Sequence, residues 1–363
     1  MSVVVPSHDA ARTLERCVAS ALASDEPPLE VIIADDASTD ATARIAAALS
    51  AAYPEHVRCV RLVERRGPAS ARNAGARAAR APLLFFLDAD TELEADALTH
   101  FRTTIRDADA VCGVYSPTPL APAGAGARYK ALFDHFSFSR AGVTGYDGFS
   151  AYCGGVRRDV FFAVGGFDES LGPGAERENE EFGYRLSQAH RVLIDPAIRA
   201  RHHFAGVGRL SRNYFVRVMQ WTGLFLERGR FESAGDATAA GSIRTLAAPL
   251  AAGAWLLTPH LPDALPVAVA LAVVWAAGAW PFVRFVAGEQ PRFVLAAIVL
   301  NVHFSFVISA GAALGALRHV AQRLASPRRA PETPADRDPA GPPTPFPPAA
   351  TDRVAAVRAA PPG

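Results

Sequence analysis

The chain has 363 residues, enough for one large domain or two smaller ones with accessories, and ample for a buried core. Its 37 basic and 36 acidic residues leave a formal charge of +1, which excludes a duplex nucleic-acid binder, because such proteins concentrate an excess of cations. Four scattered cysteines, Cys17, Cys59, Cys112 and Cys153, lack metal-ligand spacing and read as reduced core thiols of a cytosolic domain, not as a disulfide framework.

The first residues, Met-Ser-Val-Val-Val-Pro, enter a strand without the charged and apolar regions of a signal peptide, so the first domain is expected to fold where it is made. Residues 10–23 follow with apolar positions at helical spacing. Residues 29–34 form a second strand ending on Asp35-Asp36, and Ser38-Thr39-Asp40 offers caps for a helix running to about residue 52. A third strand over 57–63, a helix over 68–80 with Pro68 in its first turn, and a fourth strand over 82–87 complete the regular part. This alternation predicts an α/β fold with a doubly wound, mostly parallel sheet, whose ligands bind at the carboxyl ends of the strands.

Asp35, Asp36, Asp88 and Asp90 all stand at such ends, four carboxylates for which a purely structural sheet has no use. If strand geometry continues through Asp88-Ala89-Asp90, both aspartates face one way and offer hard oxygen ligands to Mg²⁺ or Mn²⁺ carried in with a diphosphate. Taken alone, the same pair also reads as caps for a helix beginning near Glu92. The dinucleotide fingerprint is missing, since Pro6-Ser7-His8-Asp9 stands where its glycines belong, and no GxxxxGK[ST] loop occurs.

Beyond Asp90 the pattern predicts a helix over 94–106, a strand over 110–115 and a Pro/Gly/Ala loop over 116–127. The aromatic and basic stretch 128–136 suits a membrane interface, a sugar-stacking wall or a packed helix. Residues 213–227 read as an amphipathic helix lying along a bilayer. Residues 264–283 and 293–317 carry no charge, and each can cross a hydrocarbon core of about 30 Å. A shorter apolar run, 246–257, is either an interfacial helix or a third span. Two spans leave both ends of the chain in the cytoplasm and agree with Arg318, Arg323, Arg328 and Arg329 following the last one. Residues 326–363 are Pro/Ala-rich and are expected to form a disordered tail.

The segments VVVPSHDAARTLERCVASAL, EVIIADDASTDAT, GPASARNAGARAA, FFLDAD and GGFDE, in this order across roughly residues 2–205, resemble family 2 glycosyltransferases with a GT-A fold. That resemblance implies an inverting transfer from a nucleotide-diphospho-sugar, with a UDP-sugar favoured. It implies that Asp36 accepts from the base ring, that Pro6 and Asp9 line the same pocket, and that Arg72 and Asn73 lie near the phosphates. Asp88 and Asp90 would hold Mn²⁺ or Mg²⁺, Asp90 more directly, and His202 would be a further ligand. The segments Tyr152–Gly155 and Gly165–Glu169 resemble those contacting donor sugar and acceptor.

One position departs from the family pattern. Where relatives read E-D-x-E/D and the Asp deprotonates the acceptor, this chain has Glu178-Asn179-Glu180. A neutral amide takes no proton, so Glu178 first and Glu180 second are the candidate bases, or the acceptor arrives already ionised as a phosphate. The purely structural alternative is that these acids favour a helix N-terminus. Gln220-Trp221 is superficially similar to the QxxRW of processive synthases, but the Arg is misplaced.

Together these readings predict a nucleotide-sugar half (1–115), an acceptor half with an interface helix (116–230), a membrane region of two or three helices (244–320) and the tail (326–363). The expected activity is sugar transfer by a cytoplasmic catalytic domain, on a multi-pass membrane anchor, to a lipid-linked or membrane-proximal acceptor in envelope glycan or glycolipid synthesis. The alternatives are a polyprenyl-phosphate glycosyltransferase similar to dolichol-phosphate mannose synthases, and a catalytically weakened nucleotide-sugar-binding scaffold.

Overall fold

The computed structural model describes residues 1–120, 124–174, 177–235 and 237–325, so the predicted tail lies outside the described residues. Strand β1 (Ser2–Ser7) is buried throughout, and α1 (Leu14–Leu22) packs Leu14, Cys17, Val18 and Ala21 inward. There follow β2 (Glu30–Asp35), α2 (Thr42–Ala52), β3 (Val57–Arg61), α3 (Pro68–Ala78) and β4 (Leu83–Leu87). The next elements are β5 (Thr91–Leu93), α4 (Ala97–Thr104), β6 (Ala110–Tyr115), α5 (Ala125–Ser139), β7 (Thr144–Gly145) and β8 (Cys153–Arg157). The remainder comprises α6 (Arg158–Ala163), α7 (Glu178–Leu186), β9 (Val192–His202), α8 (Val207–Arg228), α9 (Ala239–Leu257), α10 (Ala264–Phe285) and α11 (Pro291–Ala325).

The sheet runs in the order β3-β2-β1-β4-β8-β6-β9-β5, with β7 beside β9. Its first four strands are parallel, while β8 runs antiparallel to both β4 and β6. Alternate residues feed opposite layers: Val3, Val5, Val31, Ile33 and Phe85 pack on one face, and Val4, Ile32, Leu84 and Phe86 on the other. That division explains the unbroken apolar runs of a sheet covered on both sides. Strand order reverses between β1 and β4, which opens a crevice at their carboxyl ends.

Two local expectations change. Gly154 and Gly155, expected at the sugar site, lie in β8 at the centre of the sheet, where a Cβ on Gly155 would stand 2.4 Å from the Phe101 ring and 2.5 Å from the Leu84 carbonyl oxygen. The aromatic stretch 128–136 forms α5, and its Tyr129 and Phe133 pack against Phe282, Phe293 and Phe304 of α10 and α11. The stretch is a packed helix, and the apolar helices that follow cover the faces of Tyr129 and Phe133 that a sugar would need.

Helix α8 packs against protein on two sides. One side meets α11, where added Cβ atoms at Gly311 and Gly315 would stand 2.7 and 2.5 Å from the carbonyl oxygens of Phe215 and Met219. Another side meets α7, where Trp221 donates to the Tyr184 hydroxyl at 2.9 Å and Arg217 donates to Glu180 at 2.5 Å. Along this amphipathic helix Leu210 and Thr222 are buried. Among the described residues, the segments Ala264–Gly288 and Pro291–Leu324 are long and apolar enough to cross a membrane, with hydropathies of 1.8 and 2.2. Helix α9, interrupted by Pro249, is not.

Candidate active site

The crevice at the β1/β4 reversal holds a cleft of about 420 Å³, and Pro6, Asp9, Asp36, Arg72, Asp88, Asp90 and Glu178 all line it. Asn179, Glu180 and His202 do not line it. Seven of the residues singled out from the sequence therefore share one cavity.

The aspartate pair is not on a strand. Strand β4 stops at Leu87, and Asp88-Ala89-Asp90 turns toward β5, with Thr91 donating to the Asp88 carbonyl oxygen through its N–H at 3.0 Å and its hydroxyl at 2.6 Å. The strand-alternation argument for two parallel carboxylates therefore fails, and the turn sends them to different partners. Asp88 accepts from Arg72 at 2.9 Å, and Asp90 stands 3.1 Å from Nε2 of His202. Beneath the turn, the Cys17 thiol donates to the Asp88 carbonyl oxygen at 3.4 Å. Burial, reinforced by Asp90 and Asp88, pushes that thiol's pKa well up, so it stays protonated. All four cysteines are unpaired; Cys17, Cys112 and Cys153 are buried in the core as expected, whereas Cys59 is half-buried.

Arg72 organises the wall. Its side chain is 4% exposed, and it donates to Asp88 at 2.9 Å and to Glu178 at 3.0 Å while lying over the Phe167 ring. Burial opposes its charge, but the two carboxylates outweigh that cost and hold its pKa above the ordinary arginine value. Asn73, one residue on, does not line the cleft and bonds the Phe167 backbone and Glu169.

Asp36 is buried and accepts from the backbone N–H groups of Arg66 and Gly67 at 2.7 and 2.8 Å. It thereby fixes the loop that opens α3, and Gly67 is needed there because its φ is +94° and its Cα faces Gly172. Asp35 does not join the crevice: it is fully buried beside Arg61 and accepts from Ser38. The expected row of four carboxylates is thus a group of three. Asp9, at φ +50°, accepts from the backbone of Thr39 and Asp40, and the Thr39 N–H leads in drawing its pKa below the usual carboxylate range.

The segment 178–180 begins α7, so the acids do sit at a helix N-terminus as the structural reading required. They are more than that. Glu178 Oε2, Asn179 Oδ1 and Glu180 Oε2 are each buried without a hydrogen-bond partner among the described residues. Three orphaned acceptors in consecutive residues represent unmet hydrogen-bonding capacity that donors such as sugar hydroxyls could satisfy. Gly183 seats this helix: a Cβ there would lie 2.2 Å from the Gly148 carbonyl carbon.

Sequence reasoning missed Glu232, and it held Glu169 only as part of the GGFDE segment, without its bracing role. Glu169 ties Ser70, Asn73 and Arg77 of α3 to the GGFDE loop. Glu232 accepts from the Tyr184 hydroxyl at 2.6 Å beneath α7; burial, then nearby Glu180 and Asp147, push its pKa up to about 7. A lone glutamate after a glycine-bounded helix carries no sequence signal for such a role.

Among the described residues, no three acidic, histidine or cysteine side chains cluster into a complete metal cage. Asp90 and His202 nevertheless face each other, and Nδ1 of His202 is buried without a partner. One carboxylate and one imidazole suit a divalent ion that takes the rest of its shell from diphosphate oxygens and water.

Residues 2–163 match glycosyl transferase family 2. The succinoglycan biosynthesis protein ExoO of Rhizobium meliloti is 41% identical over 111 residues, which cover 30% of this chain and 30% of that relative's length. The glycosyltransferase AglE of Haloferax volcanii is 28% identical over 204 residues, covering 53% and 65%. A mannosyltransferase of Pyrobaculum calidifontis, solved with GDP-Man and Mn²⁺, superposes with a TM-score of 0.54 at 20% identity over 89% of this chain and 87% of its own. That likeness establishes the GT-A-type α/β fold.

Proposed function

From the match of residues 2–163 to glycosyl transferase family 2, we propose that this chain moves a sugar, with inversion, from a nucleotide-diphospho-sugar to a lipid-linked or membrane-proximal glycan acceptor. The observation that carries this reading is the single cleft lined by Asp36, Arg72, Asp88, Asp90 and Glu178 at the point where strand order reverses. A UDP-sugar is the favoured donor. The relative named for succinoglycan biosynthesis supports a glycan product.

In this account Pro6, Asp9 and Asp36 form the base and ribose end of the cleft, with Asp36 keeping further lone pairs beyond those given to Arg66 and Gly67. Asp90 and His202, with Asp88 beside them, would hold Mn²⁺ or Mg²⁺. Such an ion, when bound, neutralises the charge that builds on the leaving diphosphate. Arg72 adds a fixed positive charge at the same end, held in place by its two carboxylate partners. Glu178 keeps one oxygen on Arg72 and leaves Oε2 free to take the proton of the acceptor hydroxyl. Glu180, bonded to Arg217, is the second candidate.

One observation favours a second acceptor class. Asn179 occupies the position where family members carry a base, and a phosphate acceptor needs none, so a polyprenyl-phosphate glycosyltransferase is the alternative. Incubating the full chain with a panel of nucleotide sugars, Mn²⁺ and total membrane lipid tests both. A glycosylated lipid with release of nucleoside diphosphate is expected. A product with one sugar on a lipid monophosphate selects the alternative, and no turnover or binding with any donor contradicts the proposal.

A further inference from the structure

A second cleft of about 410 Å³ lies on the other side of the α7 N-terminus, between the loop before α7, the C-terminal half of α8 and the end of α11. Its charged lining residues are Arg177, Arg318, His319 and Glu227, and Gln220 and Gln322 line it as well. None of Arg177, Arg318 and His319 makes an ion pair with another described residue. The cleft exists because Gly311 and Gly315 let α11 close on α8, which sets the end of α11 beside residues 219–227.

Two features give this cleft a direction. Arg177 and Glu178 are consecutive, yet Arg177 lines this cleft and Glu178 lines the first, so the two cavities flank the start of α7. On α11, the residues interleaved with the cationic pair are exposed and apolar: Leu317 at 68%, Val320 at 52% and Leu324 at 82%. A cationic, hydrogen-bonding hollow with an apolar flank matches an amphiphile whose head is anionic and whose tail is hydrocarbon.

We propose that this cleft binds the phosphate or diphosphate group of a lipid-linked acceptor, through Arg177, Arg318 and His319, with the lipid chain along the exposed side of α11. The inference rests on the transferase reading and extends it, naming the anionic group by which the acceptor is held. A ligand anchored there projects its glycan past Arg177 toward the unpartnered oxygens of residues 178–180. Arg supplies forked donors to phosphate oxygens.

The test titrates the full chain in detergent micelles with farnesyl diphosphate, inorganic pyrophosphate and farnesol, with the donor cleft filled by a nucleoside diphosphate and Mn²⁺. The account expects farnesyl diphosphate to bind, and Arg318→Gln and His319→Gln each to weaken it about tenfold while nucleoside diphosphate affinity stays unchanged. Both positions are at the surface end of α11, and thermal melting of each variant confirms that the fold is intact. Unchanged affinity for farnesyl diphosphate in both variants overturns the site. Pyrophosphate binding as tightly, and being lost in the same variants, assigns it to free phosphate and overturns the lipid source. Farnesol binding as tightly overturns the anionic head. The nucleoside diphosphate titration, run by itself, separates a failure of the donor reading from a failure of this one.

Discussion

Arg72 of α3 donates to Glu178 of α7 at 3.0 Å, across 106 positions of sequence. The same guanidinium holds Asp88 at 2.9 Å, so the turn that presents the aspartates and the helix that presents the candidate base are braced by one buried cation. Donor and acceptor chemistry therefore share a rigid wall, and a change at position 72 should disturb both.

Arg72→Ala leaves the Glu178 carboxylate buried without its counter-charge, and removing one partner of a buried pair costs about 3–5 kcal/mol. The variant should melt well below the parent and lose turnover. Arg72→Lys keeps the charge but cannot fork to both carboxylates, so most of the turnover loss should persist while stability partly recovers. Recovery of full turnover in the lysine variant would show that charge alone matters there.

Glu178→Gln should lower turnover by about a hundredfold or more, the contribution of a positioned general base, with nucleotide affinity held within a few-fold. Glu180→Gln should cost less, because that carboxylate lies outside the donor cleft. Asn179→Asp is expected to change turnover only modestly. Activity appearing in that variant from none in the parent would support the weakened-scaffold alternative.

Glu232 gives stability a pH dependence. Its folded pKa, about 7, lies above its ordinary value of 4.5, so the folded state binds the proton more tightly than the unfolded chain. The stabilisation is complete below the ordinary value and is lost as pH rises through about 7. Melting temperature should fall between these limits, and Glu232→Gln should flatten that part of the profile. Tyr184, Glu180 and Asp147 surround the group and remain in both proteins, so the difference between the two curves isolates it.

Gly183→Ala drives a methyl group into the backbone of Gly148 and Phe149. Overpacking of this kind costs about 1–3 kcal/mol, and it acts on the helix that carries Glu178. Thermal melting should drop, with turnover falling further than Gly148→Ala alone causes. Equal stability of the parent and Gly183→Ala would mean that α7 is free to shift.

The first four strands were readable because their apolar runs and the helices between them follow simple periodicities, and because aspartates close two of the strands. The turn at Asp88-Ala89-Asp90 was not readable as a turn. Nothing local distinguishes it from a strand end, and it is the pairing of β5 with β9, more than a hundred residues away, that draws the chain out of the sheet. Asp35 and Asp36 are adjacent and identical in type, yet one is turned to Arg61 and the other to the cleft wall, a choice made by neighbouring strands. The aromatic stretch of α5 failed as a sugar wall for a similar reason: its partners on α10 and α11 come much later in the chain. Residues that act by closing a local motif were visible, and roles exerted through distant packing, such as those of Glu169 and Glu232, were not.

The most direct measurement is the affinity of the full chain for UDP and other nucleoside diphosphates, titrated with Mn²⁺ and with chelator, in the parent and in Asp90→Ala. The account predicts binding that requires the divalent ion and weakens about tenfold or more in the variant. Binding that is equal with chelator and unchanged in Asp90→Ala would contradict it.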